Sequence, residues 1–446
     1  MDQAPSMQKE RTRRILALAL PIMGGMLSQS LLNLVDAALV GSLGETVLAG
    51  VGVGGYAIFM LTALIMGLSS GVQAQVARRH GAREYSVRAL PLNAAILLAL
   101  LVTLPLTLIG WLEAGWIVAW INQTPEVQAV ASDYFQWRVL ALLPVALTLC
   151  FRGYWHGIHE SGIYLRIILF THGLNILLSI WLIHGGLGVP PLGAVGAALG
   201  TSLSVTAGAL VWGWLTWQRA CPSGFLFKVP TFNLLWRTLR LAIPNSVQQF
   251  LFAVSYAILF WFLGQISTSS VAVGHVLVHL SLLLILPGVG LGMAAMTLVG
   301  HSLGEEQKEE AHRWGWEVMR LASLLLAVLG LPMLLFPEAI LGIFLHDTHL
   351  IELGRIPLML TGIMITLDAA AIVFNQALQG AGAQRLVMQL SLSMQWLFFL
   401  PMAWLAGIHL GYGLLGIWCA QLAYRVINSG LFIWIWQQRR WQRLQV

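Results

Sequence analysis

The sequence predicts an all-α polytopic membrane protein, with twelve transmembrane helices in two pseudo-symmetric six-helix bundles facing a central cleft. Three observations carry that expectation: composition, the number of long apolar runs, and landmarks of the first half that recur in the second. Of 446 residues, 58% are hydrophobic and 9% charged, against roughly 45–50% and about 25% in soluble domains. The mean hydropathy is +0.79. Such a chain has too little polar surface to cover a water-facing globule, so its solvent is lipid. Several of the 19 tryptophans, Trp111, Trp116, Trp120, Trp214 and Trp217 among them, fall near the ends of apolar runs, where an indole ring suits the membrane interface.

A span needs about 20 mostly apolar residues. Runs of that length cover approximately 15–40, 47–77, 89–111, 127–151, 163–183, 193–217, 234–263, 271–300, 314–336, 353–378, 386–406 and 414–436. The stretch ahead of the first run, MDQAPSMQKERTRR, is polar and basic and has no small-residue cleavage site after it, so the run reads as a mature helix. Loop charges orient the spans. All 24 Lys and Arg residues except Arg138 and Arg355 fall on the side that holds both termini. Basic loops stay cytoplasmic, so both termini are expected inside a multi-pass cell inner membrane. The basic N-terminus is a topology signal, and no nucleic-acid partner is expected.

The repeat has an offset of 223 residues. Leu18-Ala19-Leu20-Pro21 recurs as Leu241-Ala242-Ile243-Pro244, Gly81 as Gly304 and Gly157 as Gly380. Each half then holds six spans, and because six is even the halves run parallel, related by an axis along the membrane normal. The expected division is an N-terminal lobe at 1–217, a cytoplasmic linker at 218–233 with Pro222, Gly224 and Pro230, and a C-terminal lobe at 234–446. Cys150, Cys221 and Cys419 lie far apart without metal-type spacing. No disulfide, cofactor or metal is expected. HExxH does not occur, and GxSxG occurs only inside or at the end of predicted spans, at 67–71 and 300–304, without the strand-to-helix turn and clustered catalytic acids that a nucleophile needs, which speaks against a membrane enzyme.

These features resemble the multidrug and toxic compound extrusion (MATE) family: two six-helix lobes, both termini inside, and glycine-ended loops at Arg79-His80-Gly81, Gly157 and Gln379-Gly380-Ala381-Gly382. Pro21, fifteen residues before Asp36, is similar to the DinF-like branch, whose proline-kinked first helix bears a protonatable aspartate. The chain departs from that pattern at Ser179, four residues after Asn175, where proton-coupled members carry a second aspartate. It departs from the NorM-like branch at Phe252, the position of a glutamate in the seventh span. Asp368, twelve residues before Gly380, matches that branch's tenth-span aspartate. The resemblance implies a secondary active exporter of small, amphipathic or cationic organic molecules, working as a monomer.

Only Asp36 and Asp368 lie well inside spans. An acid at that depth costs a few kcal/mol, persists where it faces protein or water, and is a functional candidate by default. Gln29, Asn33 and Asp36 share one helix face, as do His172, Asn175 and Ser179. The two faces are expected to meet, with Asp36 as the proton switch and Pro21 as the hinge that its hydrogen bonds bend. Gln29 and His172, together with Asn245, Gln249 and Tyr256 on the seventh span and Asp368 and Asn375 on the tenth, are expected to line a substrate or cation cavity. Arg425 is expected to snorkel to the interface, with neutralisation of Asp368 the alternative. The coupling ion is expected to be H+, because one carboxylate suits a proton better than a sodium ion wanting several oxygens. The alternatives are sodium antiport through Asp368, or a flippase for lipid-linked precursors, whose cavity should be richly cationic.

Overall fold

A computed structural model describes residues 3–444, with side-chain surroundings from residue 8 onward; the chain ends assigned to the cytoplasm lie outside this range. The described residues are helical, and the one β-type pairing among them is an isolated bridge between Gly186 and Val189. Twelve long elements follow the twelve apolar runs. They are α1 (Gln3–Gly41), α2 (Glu45–Gly81), α3 (Leu90–Leu112) and α4, a pair of helices (Pro125–Val139 and Leu142–Gly157) bent by 51°. Next come α5 (Ser161–His184), α6 (Gly193–Ala220), α7 (Phe232–Ile266) and α8 (Thr268–Gly304). The last four are α9 (Lys308–Leu335), α10 (Thr348–Gly380), α11 (Gln384–His409) and α12 (Gly413–Gln438). Ten of these are long and apolar enough to cross a membrane, and the bent α4 pair makes an eleventh. Helix α12 has the length, with 26 residues; Gln421, Arg425 and Asn428 lower its apolarity.

By contacts the chain forms two compact units. One contains residues 24–246, the other residues 1–23 with 247–446. The borders lie inside α1 and α7, two residues after Pro21 and Pro244, and are themselves one repeat offset apart. The expected division at 218–233 therefore falls within the first unit and does not coincide with this grouping. That segment is also held closely. Asn93 of α3 donates from Nδ2 to the carbonyls of Gly224 (2.8 Å) and Lys228 (2.9 Å), and its Oδ1 accepts from Leu226 N (3.1 Å). Gly224 sits at φ +88°, a left-handed conformation that glycine adopts without strain.

In the unit of residues 24–246, α2 breaks between Ala63 and Gly67. The amide of Gly67 donates to Ser246 Oγ (3.0 Å), and a Cβ on Gly67 would stand 1.9 Å from the carbonyl oxygen of Ala242. Only a glycine lets the α2 and α7 backbones approach that closely. The repeat reaches individual contacts. Gly157 closes on Val76 and on the carbonyl of Gln73, while in the other unit Gly380 closes on the carbonyl of Met296, which is residue 73 shifted by the offset. One turn away the glycine changes sides: Gly153 faces Ser69, whereas Gly292 faces Gln376. The first turns of α1 are fixed within the second unit, where Arg11 pairs with Glu310 and Glu317 and lies 3.9 Å over the Trp314 ring.

A Gly67→Val substitution should destabilise the protein by about 1–3 kcal/mol or more and so lower the midpoint of thermal unfolding in detergent, because rigid backbone cannot make room. Gly52→Ala, where an added Cβ meets nothing within 4 Å, should leave the midpoint unchanged. Fluorescence-detected melting of the two variants checks the contrast.

Candidate functional site

Each unit brings one intramembrane carboxylate together with one arginine. In the unit of residues 24–246, Asp36 is half-buried on α1 and the cation acting on it is Arg138, near the end of the first α4 helix. Asp36 Oδ1 and Arg138 Nη1 are both buried without a hydrogen-bond partner. The expected bonds from Asp36 to Asn33 and Asn175 do not form among the described residues. Asn175 instead accepts from Ser179 Oγ (2.9 Å), and Ser179 lies under Gly200 of α6, where a Cβ would stand 2.6 Å from its hydroxyl. Asn175 and Ser179 are buried to 1% exposure, so they serve close helix packing more directly than they serve Asp36.

The two predicted polar faces do meet, one turn earlier. Ser28 Oγ contacts His172 Nδ1 (2.7 Å), His172 Nε2 contacts Gln29 Oε1 (3.1 Å), and Gln29 Nε2 donates to Asn33 Oδ1 (3.1 Å). The chain of donors sets the tautomer. Gln29 uses its amide nitrogen on Asn33 and therefore accepts from His172 Nε2–H, which leaves Nδ1 to accept from the Ser28 hydroxyl. Arg138 was the residue missed by the sequence analysis. Its signal was present: it is one of two basic residues off the cytoplasmic side, and it falls inside a predicted span.

In the other unit, Asp368 of α10 forms an ion pair with Arg425 of α12. Both are largely buried, with side chains 7% and 13% exposed, so Arg425 does not snorkel. Tyr256 of α7 lies beside the guanidinium and lines the same cavity. The pair borders a cavity of about 290 Å3 that Gln249, Tyr256, Asp368 and Asn375 also line, together with Phe252. The Phe252 and Tyr256 rings meet edge to face at 5.1 Å. Asn245 is not part of this cavity. It belongs to the unit of residues 24–246 and donates to Ser70 Oγ (2.7 Å). A shared helix face placed it beside Gln249, but the unit border passes between them. Gln395 reaches the cavity from a π-helical stretch of α11, Ser393–Phe399, and donates to Ser255 (2.8 Å); such stretches often mark functional positions.

The His275 and His279 rings lie 4.1 Å apart with their planes tilted by 44°, and His279 Nδ1 bonds to the His275 carbonyl (2.9 Å). No group of three or more metal-type side chains occurs among the described residues.

The pairing of Asp368 with Arg425 predicts strong coupling. Asp368→Asn and Arg425→Gln should each lower the unfolding midpoint, and the double variant should lower it by less than their sum. A coupling of about 1–3 kcal/mol is expected, measured by a double-mutant cycle in detergent.

Comparison with known proteins adds the lineage. The MatE family model matches residues 21–181 and 244–405, two segments that begin at the paired prolines. The chain is 26% identical to a protein named "Probable multidrug resistance protein NorM" from Thermotoga maritima, covering 100% of this chain and 95% of that one. A protein of the same name from Rhodopseudomonas palustris is 26% identical over 94% of this chain and 90% of its own length. Among solved structures, the outward-facing conformation of a multidrug resistance MATE family transporter of the MOP superfamily superposes with a TM-score of 0.89 at 21% identity, covering 98% of this chain and 97% of that one. A structure described as MATE in the straight conformation gives 0.88 at 22% identity and 96% coverage of both chains. These likenesses show the fold.

Proposed function

The chain belongs to the MatE family, and from that premise we propose that it is a secondary active multidrug efflux transporter, exporting amphipathic or cationic organic molecules by proton-coupled antiport. It is not an enzyme. The proposal extends to a cell inner membrane location with both termini cytoplasmic, to function as a monomer, and to the DinF-like branch on the strength of Pro21 and Asp36. The relatives' shared name supports the efflux reading. The observation that carries the coupling is the half-buried Asp36, on a helix that contains Pro21, with Arg138 as the cation acting on it.

The mechanism follows from charge. An ionised Asp36 attracts a cationic ligand and Arg138 alike, and in a low-dielectric site that attraction is several times its strength in water. A proton arriving from outside discharges the carboxylate and weakens its hold on both. Pro21 lacks the amide hydrogen that would complete the helix ladder, so α1 bends there at lower cost than elsewhere. Discharge of Asp36 thereby changes the bend of α1 and expels the ligand. The Ser28–His172–Gln29–Asn33 chain, one turn away, holds α1 against α5 and gives the bend a fixed partner. Sodium coupling through Asp368 fits less well, because Arg425 already neutralises that carboxylate.

Efflux of ethidium from proteoliposomes tests this. The wild type should respond to an inward proton gradient and not to a sodium gradient, and Asp36→Asn should lose pH-driven efflux at least about tenfold, the scale of one lost ionic contact. Efflux driven by sodium alone, or an unimpaired Asp36→Asn, contradicts the proposal. Pro21→Ala, which restores a backbone donor, should keep or raise the unfolding midpoint while slowing efflux several-fold; a combined loss of both would show that Pro21 serves folding and not movement.

A further inference from the structure

We propose that the cavity beside Arg425 and Asp368 is a recognition site for an organic carboxylate with an aromatic or apolar body. The proposal deepens the efflux function and rests on it, since export supplies the reason for a ligand to enter. Three observations lead there. First, the cavity's carboxylate is already matched. Asp368 is paired with Arg425 in its own unit, so an incoming cation would meet a neutralised acid and, beside it, a guanidinium that repels it. Second, the guanidinium has capacity left. It has five N–H donors in a planar fork; contacts to Asp368 and Tyr256 leave Nε buried and without a hydrogen-bond partner. A planar carboxylate is the acceptor that fits such an edge, by paired charge-assisted bonds. Third, the remaining wall suits an uncharged planar body. Phe252, Tyr256 and Phe432 supply rings, and Gln249 and Asn375 supply amides. At about 290 Å3 the space is at the small end of ligand pockets.

Arg425 then holds two carboxylates, its own and the ligand's, which makes Asp368 a competitor for the ligand and not its anchor. This reverses the sign expected for a cation cavity, where Asp368 would be the anchor. The reversal is what the experiment reads.

Isothermal titration of the purified full chain in detergent at pH 7, without any gradient, compares three naphthalene probes that differ in the charge of one substituent: 2-naphthoate, 2-naphthamide and 2-naphthylmethylammonium. In the wild type, naphthoate should bind about tenfold or more tighter than the other two, the scale of a charge-assisted bond. Asp368→Asn should tighten naphthoate several-fold. Arg425→Gln should abolish the preference for naphthoate over naphthamide, and the neutral double variant should still bind naphthamide without that preference, which separates loss of recognition from loss of fold. Tightest binding of the ammonium probe, weaker naphthoate binding in Asp368→Asn, a preference that survives Arg425→Gln, or no binding of any probe each overturns the assignment. If naphthoate fails while pH-driven ethidium efflux stands, this assignment falls and the efflux mechanism does not. If efflux fails while naphthoate binds as stated, the reverse holds.

Discussion

A carboxylate at membrane depth must have its charge answered within the protein, and much of this chain's chemistry follows from how that requirement is met. Lipid offers no hydration, and burial of an unpaired charge costs several kcal/mol. Both intramembrane aspartates are answered by an arginine from another helix of the same compact unit: Asp36 by Arg138, and Asp368 by Arg425. The two answers differ in strength. Asp368 makes direct ionic contact and is nearly buried, whereas Asp36 is half-buried and its Oδ1 makes no hydrogen bond. A pair in contact is a fixed element that other groups can be built on. A carboxylate held only by a neighbour's field is poised to exchange its proton or its partner.

The repeat supplies the scaffold and stays out of the chemistry. Unit borders, the proline positions and the closure of Gly157 and Gly380 on residues 73 and 296 all respect one offset. The charged groups do not. Residues at the repeat position of Asp36, Asp368, Arg138 and Arg425 are Leu259, Val145, Thr361 and Ser202. Duplication of a six-helix unit thus explains the packing, and later divergence of the two copies explains why one carries a loosely held acid and the other an ion pair beside a cavity.

The fold was legible because apolar length and loop charge are local properties, read without knowing any neighbour. Each of the twelve runs is helical, with most ends displaced by a few residues and the start of α1 by twelve. The α2 break was not legible, because its cause is a hydrogen bond from Gly67 to a serine 179 positions away. The bend in α4 and the short helices at Ala114–Ile121 and Pro337–Phe344 were hidden inside or beside continuous apolar runs. In the site, helix periodicity grouped residues by face correctly, but a face does not name what it touches. Gln249, Tyr256, Asp368 and Asn375 converge on one cavity, while Asn245 turns to Ser70 and Ser179 to Gly200. The arginine partners were only partly legible: Arg425 stood as an alternative partner for Asp368 and Arg138 was conspicuous inside a span, but an ion pair between distant helices leaves no periodic trace that would choose the partner.

The central claim is that ligand and proton compete for Asp36, and its most direct test is stoichiometric. Tetraphenylphosphonium would be added to purified protein in weakly buffered detergent solution near neutral pH, and the proton change followed with a pH-sensitive dye. The account predicts proton release on binding to the wild type and none with Asp36→Asn. Binding by the wild type without any proton release would contradict it.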